Sequence, residues 1–267
     1  MKLKIFQIDT FTDKIFHGNY AAVIILDEWL SSDLMQSIAK ENNLSETAFV
    51  KNTIGNSYEI RWFSPLNEIY FCGHATLASA FVLFSQDTKY KEVKFIANAV
   101  GILEVSKKED GYIQMIFPNK KPKDIETVPK PLLDGLSIEP IRFLKNQQAY
   151  FAIYGNEKDI YSIKPNLEEL KKLAPYDVVV TAASKEYDFI SRYFWPANGG
   201  DEDPVTGSIH TGLAPYWSEN LQKDNLIAYQ ASKRGGVLQC KVSDKNVIIL
   251  GKAVKYLEGY IEIDTVG

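Results

Sequence analysis

The chain has 267 residues, 45% hydrophobic and 24% charged, the make-up of an ordinary folded protein, which excludes extensive disorder. A net charge of −4 and an isoelectric point near 5.5 argue against nucleic acid or an anionic membrane as partner, because both need a basic surface. Two cysteines, Cys72 and Cys240, cannot build a disulfide framework, and the apolar run AAVIIL at 21–26 is too short to span a bilayer, so a cytoplasmic protein acting on a small molecule is expected.

Residues 2–10 alternate apolar and polar side chains as a strand does, a turn follows around His17, Gly18 and Asn19, and a β-rich run continues through Leu26. Leu34, Met35, Ile38 and Ala39 share one helical face, which predicts a helix over 31–44 with Ser31 or Ser32 as its N-cap. Strands at 46–51 and 57–63 lead into a helix opening at CGHAT, 72–76, and two further strands, near 92–106 and 111–117, close the half. The proline- and lysine-rich stretch 118–131 reads as a linker.

The second half then repeats the first. Arg61 and Arg192 are each followed by an aromatic pair, a proline (Pro65, Pro196), an acidic residue and a helix-opening glycine. The glycines, Gly73 and Gly207, are 134 residues apart; Gly101 and Gly236 are 135 apart. A tandem duplication follows, with lobes of 1–118 and 119–267 and the last strand a candidate to cross back to the first. A helix N-terminus presents unpaired N–H groups and partial positive charge, so two such starts form a candidate carboxylate clamp.

Several side chains stand beside these helix starts. In EDPVTGS, 202–208, Gly207 and Ser208 can offer N–H groups and a hydroxyl to an anion, with Asp203 nearby. No lysine follows the second glycine, which rules out a phosphate loop. His74, in the first turn of its helix, is expected to stay neutral and serve as a hydrogen-bond donor or proton shuttle. Cys72 at the same terminus is a candidate thiolate, although a buried inert thiol is the commoner outcome. Glu46 opens an apolar strand; a carboxylate on an inward face is a candidate general acid or base. Asp177 echoes Glu46 in the second half, 131 residues on, and Pro215 is expected to kink or end its helix. No GxGxxG or HExxH motif occurs, and His17, His74 and His210 are too scattered to suggest a metal site, so chemistry without metal or cofactor is expected.

Four stretches, 7–23, 43–50, 61–80 and 192–217, resemble the phenazine-biosynthesis PhzF-like family, which shares its fold with diaminopimelate epimerase. One departure is Tyr20, where the family usually has proline after the Gly–Asn pair. The resemblance implies an α/β (α+β) fold of two similar lobes. Each would be a curled, mostly antiparallel sheet around a central helix, with the active site in the cleft between lobes and a tendency toward homodimers. It implies a cofactor-independent isomerase of a small carboxylate-bearing metabolite. Glu46 would move a proton between carbons, supported by His74 and Asp203, while Asn19, Gly73, Gly207 and Ser208 would bind substrate. The alternatives are an amino-acid epimerase using Cys72 and a non-catalytic carboxylate-binding protein; a two-thiol racemase is disfavoured because the Asp203 region supplies no second cysteine.

Overall fold

The computed structural model describes residues 1–263, which fall into two units, Met1–Ile116 with the chain from Leu250 onward, and Phe117–Ile249. The first unit carries β1 (Lys2–Thr10), β2 (Asn19–Leu26), α1 (Ser32–Asn42), β3 (Glu46–Asn52), β4 (Ser57–Phe63), β5 (Glu68–Ile69), α2 (Gly73–Gln86), β6 (Glu92–Ala97), β7 (Gly101–Lys107) and β8 (Ile113–Pro118). The second carries β9 (Lys123–Asp124), α3 (Lys130–Asp134), β10 (Arg142–Lys145), β11 (Ala149–Tyr154), α4 (Glu157–Ser162), α5 (Leu167–Lys171), β12 (Asp177–Ala183), β13 (Phe189–Trp195), β14 (Gly200–Asp203), α6 (His210–Leu221), β15 (Asn225–Gln230), β16 (Gly236–Val242) and β17 (Asn246–Gly251). The unit boundaries fall inside β8 and β17, and β18 (Ala253–Glu262) then pairs antiparallel with β1 in the first unit.

The strands of the two units repeat one pairing pattern. β1–β2, β3–β4 and β6–β7 are antiparallel while β2–β3 and β4–β6 are parallel. β10–β11, β12–β13 and β15–β16 are antiparallel while β11–β12 and β13–β15 are parallel. Each parallel pair needs a crossover, supplied in the first unit by α1 and α2. α2 is buried from Gly73 to Ala80 and carries no Asp, Glu, Lys or Arg, as a helix enclosed on every side requires. It packs on β1, β2 and β3, and α6 packs likewise on β15 and β16. The expected architecture of two sheet-wrapped helices is therefore the one observed.

The repeated arginine and acid of the two copies turn out to be structural. Arg61 reaches from β4 to Glu68 of β5 with two parallel bonds of 2.7 and 2.6 Å, and Arg192 grips Glu202 of β14 from β13 at 2.8 and 2.9 Å. Each guanidinium also lies over the next-but-one phenylalanine, Phe63 at 5.2 Å and Phe194 at 5.0 Å. Bidentate pairing fixes the hairpin that delivers the chain to the helix start.

Some expectations need correction. The stretch 92–106 is a hairpin of β6 and β7, turning at Asn98–Val100 before Gly101 at φ +79°, and not one strand. The linker is tied down by the pairing of β9 with β10 and by Asp124 with Arg142. Gly207 lies in a turn of i→i+3 bonds three residues before α6 begins, and does not itself open the helix. Pro215 neither ends nor unseats α6: the carbonyl its missing N–H leaves free, that of Thr211, accepts from the backbone N–H of Lys120 at 3.1 Å.

Gly18 has φ +64°, and a Cβ there would stand 1.9 Å from the Thr10 carbonyl oxygen. Gly18→Ala is therefore expected to destabilise the protein by more than about 2 kcal/mol in urea unfolding. An unchanged midpoint would show that the β1–β2 turn tolerates a side chain.

Candidate active site

Pairing in the first unit converges four side chains. Glu46 opens β3, held beside Ala21 of β2; Asn19 opens β2; Cys72 is the N-cap of α2 and His74 its second residue. β3 is buried on both faces through Val50, so Glu46 is enclosed whichever way the strand alternates. Glu46 Oε2 stands 2.8 Å from His74 Nε2, with both side chains about 6% exposed. Ser45 Oγ donates to Asn19 Oδ1 at 3.1 Å, which turns the Asn19 amide so that Nδ2 faces His74 Nδ1 at 3.2 Å. Cys72 Sγ lies 3.4 Å from the same ring nitrogen. Tyr20, the departure from the family pattern, pairs with Asp9 inside β2 and leaves the strand regular.

The electrostatics reverse the expectation for His74 and favour the inert-thiol reading of Cys72. Burial by itself would lower the pKa of His74, but its contacts with Cys72 and Glu46 outweigh burial and hold it well above 6.5. Cys72 is pushed up to about 11, first by burial and then by Glu46, so at neutral pH it is a thiol. The helix-start dipole that predicted a neutral His74 and a reactive Cys72 contributes about 1 kcal/mol, less than a carboxylate in direct contact within a dry site. Asn19 donating to Nδ1 suits the singly protonated ring. In the doubly protonated ring, Nδ1–H has Cys72 Sγ and, after the amide turns, Asn19 Oδ1 as acceptors. The ligating atoms of Glu46, Cys72 and His74 lie within 4.8 Å of one another, so this trio could also hold a metal ion, a grouping that histidine spacing alone did not reveal.

In the second unit, Asp203 ends β14 and is 8% exposed; Thr206 Oγ1 donates to its Oδ2, and Gln230 Nε2 donates to its carbonyl at 2.8 Å. Ser208 accepts from Gln148 at 2.9 Å. His210 donates Nδ1–H to the Thr206 carbonyl at 2.8 Å, its pKa lowered to about 4 by burial, so it is a neutral structural histidine. Thus Asn19, Glu46, Cys72, Gly73 and His74 come together in the first unit, while Asp203, Gly207 and Ser208 belong to the second. Sequence reasoning missed Ser45, Gln148, Tyr193 and Gln230, ordinary polar residues whose partners are distant in the chain. Two surface grooves, one around Trp29, Arg61 and Trp62 and one around Lys120, Lys123 and Lys145, contain none of the candidate residues, and the chemistry favours the buried cluster over either.

The sequence matches the family described as phenazine biosynthesis-like protein over residues 8–259. The chain belongs to this family. An uncharacterized isomerase of Pseudomonas aeruginosa is 45% identical, the match covering 98% of this chain and all of that protein, and an uncharacterized isomerase of Halalkalibacterium halodurans is 42% identical over 96% and 97% of the two chains. A PhzF family protein from Enterococcus faecalis superposes with a TM-score of 0.93 at 40% identity, covering 98% of this chain and 100% of that one. A hydroxyproline epimerase from Agrobacterium vitis, 10% identical with a TM-score of 0.62 over 100% and 92% of the chains, shares the fold. The isomerase class expected of this phenazine biosynthesis-like protein is the class given by its relatives' names. No helix among the described residues is long and apolar enough to cross a membrane.

Iodoacetamide at pH 7.5 should leave Cys72 of the native protein unlabelled under conditions that label the urea-unfolded chain, with labelling appearing only as pH rises toward 11. Fast labelling at neutral pH would mean a thiolate. Because His74 has its pKa raised by folding, its stabilising contribution is full below about 6.5 and is lost as pH climbs through the folded value. Urea unfolding followed from below pH 6.5 upward should show that decline, and His74→Gln should abolish it.

Proposed function

We propose that this protein is a cofactor-independent isomerase of a small carboxylate-bearing metabolite, in which Glu46 removes a proton from one carbon and returns it to another. The observation that carries this reading is the Glu46 carboxylate, buried and 2.8 Å from the equally buried His74 ring. A carboxylate taken out of water costs several kcal/mol, and a buried acid beside an ionisable imidazole is an arrangement suited to proton transfer. His74 holds the carboxylate in place and supplies a proton to a polar substituent of the substrate. The first N–H groups of α2, at Gly73 and His74, lack intrahelical acceptors and suit the developing or resident negative charge of the substrate. Asn19 orients His74, and Asp203, Gly207 and Ser208 are assigned to substrate contacts, Ser208 and the Gly207 turn to the carboxylate.

One alternative retains an observation in its favour. Cys72 Sγ touches the same imidazole as Glu46, which would suit a one-thiol epimerase, but a thiol pushed to about 11 is a poor resting base. The third reading, a carboxylate-binding protein without turnover, gives the buried Glu46–His74 pair no proton to move.

The test is deuterium wash-in. Small amino acids and cyclic hydroxy acids incubated with the protein in heavy water and read by mass spectrometry should reveal a compound that exchanges a C–H. Glu46→Gln should then lower the exchange by about 10²- to 10⁴-fold with the fold retained, and Cys72→Ala should leave it nearly unchanged. Undiminished exchange by Glu46→Gln removes Glu46 from the mechanism, loss of exchange in Cys72→Ala alone selects the thiol, and tight binding without exchange selects the binding protein.

A further inference from the structure

Asp177 is the strand counterpart of Glu46. Ala21 faces Glu46 across β2–β3 as Ala149 faces Asp177 across β11–β12, and Thr47 faces Phe63 as Val178 faces Phe194. Ser208 stands to Gly207 as His74 stands to Gly73. In the first unit the acid touches the helix-start side chain directly. In the second, two side chains intervene.

Tyr193 Oη donates to Asp177 Oδ2, and Asn198 Nδ2 donates 2.7 Å to Asp177 Oδ1, so both carboxylate oxygens are occupied. Burial pushes the Asp177 carboxyl up against the downward pull of these two bonds, and burial with the neighbouring charge holds Tyr193 well above 10, so Tyr193 stays a phenol. A phenol has one hydrogen, here committed to Asp177, so the group facing it from Gln148 must be a donor; this sets the amide with Nε2 inward, 2.9 Å from Tyr193 Oη and 2.9 Å from Ser208 Oγ. Both amide hydrogens are then spent. Ser208, accepting one of them, must aim its own hydrogen elsewhere, and it is partly exposed and able to do so.

We propose that Asp177, Tyr193 and Gln148 are positioning residues that fix the polarity of Ser208, holding its hydroxyl as a hydrogen-bond donor toward the anionic group of the ligand. This rests on the assignment of Ser208 to the substrate carboxylate. The acid that the duplication copied into the second unit has become the anchor of a donor, while the original remains the proton-transfer group.

Acetate serves as the probe, its affinity read from the backbone amide shift at position 208 by NMR on the intact protein. Gln148→Leu and Tyr193→Phe should each weaken acetate binding about two- to tenfold, the worth of one oriented hydrogen bond, as Ser208→Ala should. In a Ser208→Ala background neither change should weaken it further, whereas a purely structural perturbation would act in both backgrounds. Full acetate affinity in Gln148→Leu and Tyr193→Phe beside a weakened Ser208→Ala overturns the relay and leaves the carboxylate subsite standing. Equal losses in both backgrounds overturn the relay in favour of a packing effect. Unchanged affinity in Ser208→Ala, or no acetate binding by the wild type, overturns the subsite assignment itself and the relay with it. Tyr193→Phe differs by one oxygen and keeps the comparison available should Gln148→Leu fail to fold.

Discussion

A helix without a polar face governs this architecture. α2 has buried residues on every side, so no single sheet face can satisfy it, and the strands of the first unit must wrap it. The same demand recurs for α6. Enclosure leaves such a helix one place where polar chemistry can meet it, namely its start, where backbone N–H groups run out of carbonyl partners. The hairpins clamped by Arg61 with Glu68 and by Arg192 with Glu202 bring the chain to those starts in a fixed orientation. The sites are therefore located by the needs of the core, and the side chains around them were free to diverge.

That divergence is visible position by position. Where the first unit has Trp62, with an indole N–H that lacks a hydrogen-bond partner, the second has Tyr193, whose hydroxyl is hydrogen-bonded on both sides. Where the first sets Glu46 against an ionisable imidazole, the second saturates Asp177 with Tyr193 and Asn198. One unit keeps its acid poised and the other immobilises it. Low local dielectric makes both arrangements consequential: an unpaired polar atom costs more there, and a satisfied network is correspondingly stiff.

Much of this was legible in the chain. Periodicity placed α1 and β4 closely, because half-buried elements and a capping residue such as Ser31 carry their own signal, and the apolar run after Glu46 placed β3. The repeat was legible because its arginine and acid are held to each other in both copies. The β6–β7 hairpin was missed because its turn, Asn98–Val100, lacks the usual Asn-Gly or Asp-Gly pair and only Gly101 marks it. Protonation was misjudged at His74 for a different reason. Helix-dipole reasoning uses only neighbours in sequence, and the deciding neighbour, Glu46, arrives through strand pairing. The Gln148–Tyr193–Asp177 chain was likewise invisible, since its members are joined across two strands and a turn.

The pairing of β1 with β18 has a consequence for the order in which the protein can be completed. β1 lies between β2 and β18, and its partners Lys2 and Glu262 are separated by nearly the whole chain. During synthesis the first unit must keep an open strand edge until the final strand emerges, whereas the second unit has its own strands already in hand. Contacts of such long sequence separation form late because their loop-closure entropy is large. The unit that carries Glu46 and His74 is thus interrupted by the other, and a chain short of β18 would hold these residues on a sheet with an unpaired edge, the kind of surface that recruits other chains.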